Sequence, residues 1–306
     1  MAKKSQKICT VILEYNNPQM TLETIESLRK AKIPQGFKHR IIVIDNTPVP
    51  DGTLEKKLKR YKNIKLITTL QNTGFAQGNN IGIKEGLKQK CQYFLLLNND
   101  VLVHPQFLHH LLRAAQQDAD IVVPKIYFAK GYEYHQDRYK KSELGRVIWY
   151  AGGYFDWDNV FGKHLGVNEV DKGQFDQKKP VDFANFCSVL IKRDVFETIG
   201  LLDPQYFLYW EDADFSTRAQ QAGYTQVFEP KSIVWHKSSG SSGSGSNLHD
   251  YYLTRNRLIF GFKYARLRTK LALFKESLKR LLAGRPGEKK GIIDYYLFRR
   301  GKGTFV

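Results

Sequence analysis

Apolar residues in the first hundred positions come in short bursts separated by amphipathic stretches, and the bursts have the length of strands. A buried-strand pattern at 8–13 is followed by Asn17-Pro18, a capping residue and a proline suited to the first helical position. The helix so begun should run to about 32, where Ile33-Pro34 stops it. Residues 40–44 read as a second strand closed by Asp45-Asn46, 53–61 as a short helix and 64–69 as a third strand. A helix over 76–89 and a fourth strand at 93–97 follow, the latter leading into Asn98-Asn99-Asp100. This alternation predicts an α/β fold, a mainly parallel central sheet with helices on both faces.

Beyond that point the pattern loosens. Residues 126–180 are rich in Gly, Asp, Tyr and Lys with weak periodicity, so loops and short strands are expected. A strand at 181–191, a short helix from Arg193-Asp194 to Gly200, a helix over 212–221 closed by Gly223, and strand-like pieces at 226–229 and 233–236 come next. Residues 238–246 are all Ser and Gly, which fits either a plain linker or a mobile lid. Two parts are expected: a catalytic domain over 1–246 and a helical region over 247–306.

In open α/β sheets ligands bind beyond the carboxyl ends of the strands. That edge here holds Glu14, Asp45, the loop after Thr69, and Asn98 to Asp100. A second acidic group, Glu211-Asp212-Ala213-Asp214, stands at a helix start behind Tyr209 and Trp210. Acidic residues belong at helix N-termini for dipole reasons, but three within four positions after an aromatic run exceed what capping requires. Clustered carboxylates raise one another's proton affinity, which suits a general base, and Trp210 is an aromatic able to stack on a sugar. Asp100, pinned by the apolar strand before it, is well placed to hold a hard divalent cation.

The 306 residues are 42% hydrophobic, enough to fill a sizeable core. Cys9, Cys91 and Cys187 are few and widely spaced, so neither a disulfide framework nor a zinc site is expected, and a reducing compartment is. The basic start lacks a signal-peptide core, and no apolar run reaches the ~20 residues that span a bilayer. A cytoplasmic protein, peripheral on the inner face of the cell membrane, is the expectation.

The net charge is +18, and residues 247–306 hold fifteen Lys and Arg against four Asp and Glu, or +11 of it. Leu267, Leu271, Phe274, Leu278 and Leu281 form a helical stripe there, bordered by Arg266, Arg268, Lys270, Lys275, Lys279 and Arg280. A cationic amphipathic helix of this kind suits an anionic membrane surface. The other reading packs the stripe on the catalytic domain or on a second subunit, as in a homodimer.

Six segments together carry a family resemblance: 11–16 (Val-Ile-Leu-Glu-Tyr-Asn), 42–46 (Ile-Val-Ile-Asp-Asn), 72–82 (Asn-Thr-Gly-Phe-Ala-Gln-Gly-Asn-Asn-Ile-Gly), 95–100 (Leu-Leu-Leu-Asn-Asn-Asp), 210–214 (Trp-Glu-Asp-Ala-Asp) and 234–236 (Val-Trp-His). The chain resembles the inverting glycosyltransferases of family 2, of the GT-A (nucleotide-diphospho-sugar transferase) fold, and within them the rhamnosyltransferase-like branch. The resemblance implies a hexosyl transfer from a nucleoside-diphosphate sugar, dTDP-rhamnose or a UDP-sugar, to a saccharide hydroxyl in cell-surface polysaccharide synthesis. A polyprenyl-diphosphate-linked acceptor would explain the basic tail.

By position, the resemblance implies that Asp45 accepts a hydrogen bond from the pyrimidine ring N–H. Asn72 to Asn80, with Gly74 and Asn79, would pack along the nucleoside, the glycines admitting close backbone approach, and Glu14 and Asn99 would border it. Asp100 would bind Mg²⁺ or Mn²⁺, with His236 as a second ligand; a histidine at a strand end is as often merely hydrogen-bonded. Asp212 would be the base, Glu211 would orient the acceptor, and Trp210 would lie against it. Tyr251-Tyr252 and Arg255-Asn256 match a Tyr-Tyr-x-x-Arg-Asn element expected to help close the donor site. Two departures stand out: Asn98 replaces the first Asp of the usual Asp-x-Asp motif, removing one carboxylate, and Glu14 stands where Thr or Pro is common.

Other classes fit less well. A sugar-nucleotide pyrophosphorylase needs a Gly-rich, Arg-containing loop after the first strand, where this chain has Glu14-Tyr15-Asn16-Asn17. A dehydrogenase needs a G-x-G-x-x-G turn, which 74–78 lacks. A nucleic-acid-binding protein would use the positive charge but leaves the acidic cluster at 211–214 without a purpose. A binding-only pseudo-enzyme would keep the donor site and lack transfer.

Overall fold

The computed structural model describes residues 5–237 and 246–305. The chain runs β1 (Gln6–Glu14), α1 (Pro18–Arg29), β2 (Phe37–Asp45), α2 (Thr53–Leu58), β3 (Ile64–Thr68), α3 (Gly74–Lys88), β4 (Tyr93–Asn98), β5 (Val101–Val103), α4 (Phe107–Gln117) and β6 (Ile121–Phe128). Short strands follow: β7 (Ile148–Tyr150), β8 (Gly153–Asp156), β9 (Phe161–His164) and β10 (Lys179–Pro180). Then come β11 (Ser188–Lys192), α5 (Arg193–Ile199), α6 (Glu211–Gln221), β12 (Gln226–His236), α7 (Asn247–Tyr264), α8 (Leu267–Ala283) and α9 (Pro286–Tyr296).

Ten of these strands form one mixed sheet whose main order is β10-β12-β6-β11-β4-β1-β2-β3, with β5 on β12 and β7 on β6. Its first half is parallel: β1 lies between β2 and β4, and β3 extends it beyond β2. Their near-continuous Ile, Val and Leu are what a strand covered on both faces requires. The antiparallel strand β11 then joins β4 to β6 and so connects the two halves.

The expected start of α1 holds, with the Asn17 side chain accepting from the Met20 N–H at 3.2 Å. Other expectations need correction. Residues 101–125, for which no element was expected, contain β5, α4 and the start of β6. The strand expected over 181–191 begins only at Ser188. Side chains take over the backbone before it: Ser216 accepts from the Ala184 N–H at 2.9 Å and Asn185 from the Cys187 N–H at 2.8 Å. The pieces at 226–229 and 233–236 are one strand, β12, interrupted by a register shift. Cys9 and Cys91 are disulfide-bonded, with Cα atoms 6.0 Å apart across 82 residues of sequence, and only Cys187 is free. That proximity follows from the β1–β4 pairing, which cysteine spacing does not reveal. The Gly/Ser-rich stretch lies outside the described residues except for Ser246, whose hydroxyl accepts from the His249 N–H at the start of α7.

The loops of 126–180 are tied to β6 by a buried ion pair, Lys125 Nζ to Asp171 at 2.8 Å, with the Tyr127 hydroxyl on the same carboxylate. A second apolar cluster joins the β8–β9 hairpin, Trp210 and the C-terminal helices through Phe155, Val160, Phe260 and Leu273.

Candidate active site

The carboxyl ends of β1 and β2 set Glu14 directly beside Asp45. Glu14 is buried; it accepts from the Asn17 N–H at 2.5 Å and from the Thr47 hydroxyl at 2.9 Å, while Asp45 accepts from the Thr47 N–H at 3.1 Å. Burial, followed by the neighbouring Asp45, pushes Glu14 up to about 7. Glu14 is therefore about half protonated at neutral pH.

Asn46 organises the loop after β3. Its carbonyl oxygen accepts from the Thr73 N–H (3.0 Å), the Thr73 hydroxyl (2.7 Å) and the Thr69 hydroxyl (3.2 Å), and its amide donates to Asn72 at 3.3 Å. Asn72 in turn accepts from the Gly74 N–H at 3.0 Å. Two glycines of the motif serve packing rather than an open approach. Gly74, at φ +81°, would drive a Cβ to 2.4 Å from the Phe207 ring, and Gly78 would meet Leu13 at 2.4 Å. Asn79 spends its amide on the Phe75 carbonyl within α3, and Asn99 spends its own on the Thr21 hydroxyl of α1.

Antiparallel pairing of β5 with β12 sets His236 opposite Val101, next to Asp100. His236 Nε2 lies 3.1 Å from Asp100 Oδ2. The other two atoms, Asp100 Oδ1 and His236 Nδ1, are buried without a hydrogen-bond partner. Trp149 packs edge-on against the His236 ring at 4.7 Å and also against His164 at 5.0 Å. Among the described residues no group of three or more His, Cys, Asp or Glu gathers as a metal cage. The carboxylate and imidazole that face each other at Asp100 and His236 are donors of the kind a divalent cation takes, and diphosphate oxygens would have to supply the rest.

The acidic start of α6 divides its labour. Asp214 is fully buried, and although burial opposes its charge, Arg218 at 2.8 Å and Lys263 at 2.7 Å hold it below the ordinary carboxylate range. It is a structural anchor. Burial and then the Asp212 charge push Glu211 far upward, and its Oε2 has no partner. Asp212 is raised by burial to about 6, moderated by backbone N–H groups of Ala213, its own residue and Phe186. Both carboxyls are thus shifted toward holding a proton by burial, a property that a general base or acid needs.

One short segment runs between the two acidic centres: the Cys187 carbonyl accepts from the Asn98 N–H, two residues before Asp100, at 2.9 Å, and the Ala184 N–H donates at 2.9 Å to Ser216 of α6, the helix that Glu211 and Asp212 begin. Trp210, by contrast, is 9% exposed and packs on Phe155 and Phe260, so most of its ring is inside the apolar cluster. The Phe186-Cys187 crossing, the Asn46 hub and Thr47 escaped the sequence reading; only Asn46, adjacent to Asp45 in the 42–46 motif, carried a signal.

Residues 9–200 match the family profile described as Glycosyl transferase family 2. The chain belongs to that family. This family 2 glycosyltransferase is 26% identical over 219 residues to an N-acetylglucosaminyl-diphospho-decaprenol L-rhamnosyltransferase of Mycobacterium tuberculosis, covering 68% of this chain and 70% of that one. It is 22% identical over 266 residues to the dTDP-rhamnosyl transferase RfbF of Shigella flexneri, covering 83% and 80%. It is 24% identical over 196 residues to the galactofuranosyltransferase GlfT2 of Mycobacterium tuberculosis, covering 61% of this chain and 30% of that one. A solved structure of GalNAc-T7 with UDP, GalNAc and Mn²⁺ superposes with a TM-score of 0.68 at 19% identity, covering 96% of this chain. The chain spans 55% of that longer structure. The family 2 glycosyltransferase therefore has the GT-A fold expected of it, a mostly parallel sheet flanked by helices.

Proposed function

We propose that this enzyme moves a sugar, with rhamnose favoured, from a dTDP- or UDP-sugar onto a hydroxyl of a saccharide carried by a polyprenyl diphosphate, in one inverting displacement. The observation that supports the reading is the segment 184–187, bonded on one side to Asn98 beside the Asp100–His236 pair and on the other to α6, which opens with Glu211-Asp212. Two relatives are rhamnosyltransferases by name, and one of those names an acceptor of this lipid-linked kind. A UDP-sugar donor is the second reading, favoured by the UDP in the superposed structure.

In this reading Asp212, ionised above about pH 6, takes the acceptor hydroxyl proton as that oxygen attacks the anomeric carbon. The bond from that carbon to the diphosphate oxygen breaks on the opposite face. Protonated Glu211 donates a hydrogen bond that aims the acceptor. Asp45 reads the pyrimidine, with Glu14 and Thr47 fixing its carboxylate. Asp100 and His236 would hold Mg²⁺ or Mn²⁺, which supplies charge neutralisation to the departing diphosphate.

The region 247–306 serves a membrane surface in this reading. Among the described residues no helix is long and apolar enough to cross a membrane. In α8 the residues packed inward are Thr269, Leu273 and Ser277. Of the expected stripe Leu267, Leu271, Phe274 and Leu278 are exposed, whereas Leu281 packs against the second apolar cluster and the neighbouring Leu282 is exposed in its place. At 100° per residue that stripe lies roughly 140° around the helix from the packed face, with Arg268, Lys275 and Lys279 along its side. An apolar stripe edged by cations is complementary to an anionic bilayer.

The test is transfer itself. Purified enzyme should release nucleoside diphosphate from a panel of dTDP- and UDP-sugars in the presence of a short-chain prenyl-diphosphate N-acetylglucosamine and Mn²⁺. Asp212→Asn should lose at least 100-fold in kcat with donor binding kept, and wild-type kcat should rise with pH through about 6. Undiminished turnover in Asp212→Asn removes that residue from the mechanism.

A further inference from the structure

The backbone leading into α6 is held in an unfavourable shape. Phe207 (φ +62°), Tyr209 (φ +67°) and Trp210 (φ +76°) all occupy the left-handed region, although none is glycine. Bulky side chains reach that region only when the surroundings impose it. Glu211 and Asp212 follow immediately, so the direction of this strained segment sets the direction of both carboxylates.

What imposes the shape is one face of α7. Asn256, fully buried, donates its amide to three carbonyls of the segment: Tyr206 at 2.7 Å, Leu208 at 2.8 Å and Tyr209 at 2.9 Å. Arg255, also fully buried, reaches the backbone carbonyls of Gln205 (3.3 Å) and Tyr206 (3.2 Å), and its Nε donates to the side-chain Oδ1 of Asn256 at 3.0 Å. Tyr252 stacks on Phe207 with ring centroids 5.2 Å apart. The Phe207 carbonyl in turn accepts from the Phe75 N–H at 2.6 Å, at the first turn of α3.

We infer that Arg255 and Asn256 are positioning residues for the carboxylate pair, holding Glu211-Asp212 in register with the donor loop, and that they do not close the donor site. The inference rests on the reading of Asp212 as the base. A side-chain amide shared among three carbonyls of a four-residue stretch does little for ordinary packing and much for fixing a turn that would otherwise relax. None of the groups in this clamp is free to touch a ligand, since both side chains are buried and their donors are committed.

The experiment compares Asn256→Ala and Arg255→Lys with wild type, using the nucleotide sugar and prenyl-diphosphate saccharide that the wild-type enzyme turns over. A shift on the ångström scale in reacting groups costs on the order of 100-fold in rate. Asn256→Ala should therefore lose about that factor in kcat, while the donor KM and the affinity for UDP or dTDP with Mn²⁺ stay within about twofold. The acid limb of its pH profile should move below that of wild type as the first turn of α6 loosens and admits water. Arg255→Lys, which keeps the charge and drops the guanidinium fork, should show the same pattern at about tenfold, and it carries the test if Asn256→Ala does not fold. Wild-type kcat in both variants, or donor affinity falling in step with kcat, overturns the inference. Asp212→Asn run alongside separates the two claims. Full turnover there removes the base assignment, whereas loss there with full turnover in the clamp variants removes only the clamp.

Discussion

The exposed stripe of α8 gives the membrane reading a quantitative test. Leu267, Leu271, Phe274, Leu278 and Leu282 are 73, 55, 43, 45 and 83% exposed, the equivalent of about three whole side chains. At ~2 kcal/mol for each fully buried apolar side chain, insertion would contribute at most ~6 kcal/mol. Arg268, Lys275 and Lys279 would add about 1 kcal/mol each beside anionic lipid. Changing Leu271 and Leu278 together to Ser removes the equivalent of one side chain, about 2 kcal/mol, and so about 30-fold in partition coefficient. Neither residue lies on the face that packs inward, so the melting temperature should hold. Co-sedimentation with vesicles of 30% phosphatidylglycerol in phosphatidylcholine, against phosphatidylcholine alone, measures this directly. Wild type should prefer the anionic vesicles and lose that preference at high salt. Equal binding by the double variant, or no binding of wild type to anionic vesicles, would refute the membrane role of the helix.

Two further outcomes follow from the site. Asp100→Asn or His236→Ala should abolish the extra thermal stabilisation that Mn²⁺ gives the dTDP- or UDP-bound enzyme, while nucleotide binding without metal persists; an unchanged Mn²⁺ effect would place the cation elsewhere. Glu14 has its proton affinity raised from 4.5 to about 7 in the folded state, so the folded chain binds the proton more tightly than the unfolded one. Its favourable contribution is complete below pH 4.5, declines as pH rises, and is gone above about 7, a change on the order of 3 kcal/mol. Glu14→Gln should flatten that decline in denaturation curves between pH 5 and 8, and a slope identical to wild type would show that the proton resides elsewhere.

The parallel half of the fold was legible because each strand there is covered on both faces and declares itself as an unbroken apolar run. Glu14, Asp45 and Asp100 were legible for the same reason: each closes such a run, or follows the end of one within two residues, and parallel strands end on one edge. The antiparallel half was harder to read. Residues 181–187 look apolar enough for a strand, yet side-chain bonds from Asn185 and Ser216 hold them as a crossing loop. Asp214 looked equivalent to Glu211 and Asp212 until Lys263, 49 residues away, proved to be its partner. Local pattern shows which residues are charged; only the packing shows which charges are already neutralised.

The same distinction bears on residues 247–264. In sequence they begin a basic tail, and charge alone would assign the whole tail to the membrane. In the structure Arg255 is the largest fully buried side chain, and its charge lies between Tyr251 and Tyr252 with carbonyls as acceptors. A buried guanidinium is costly unless its donors are satisfied; here Nη2 is satisfied by the segment that carries the carboxylate pair, Nε by the Asn256 side chain and Nη1 by the Tyr251 hydroxyl. Three non-glycine residues in the left-handed region cost roughly 1–3 kcal/mol apiece, so the strained turn and the buried cation each need the other to persist. Positive charge in this region therefore has two separate physical uses: inward on α7 it fixes backbone that presents acid, and outward on α8 it is left free to meet acid in solution or on a surface.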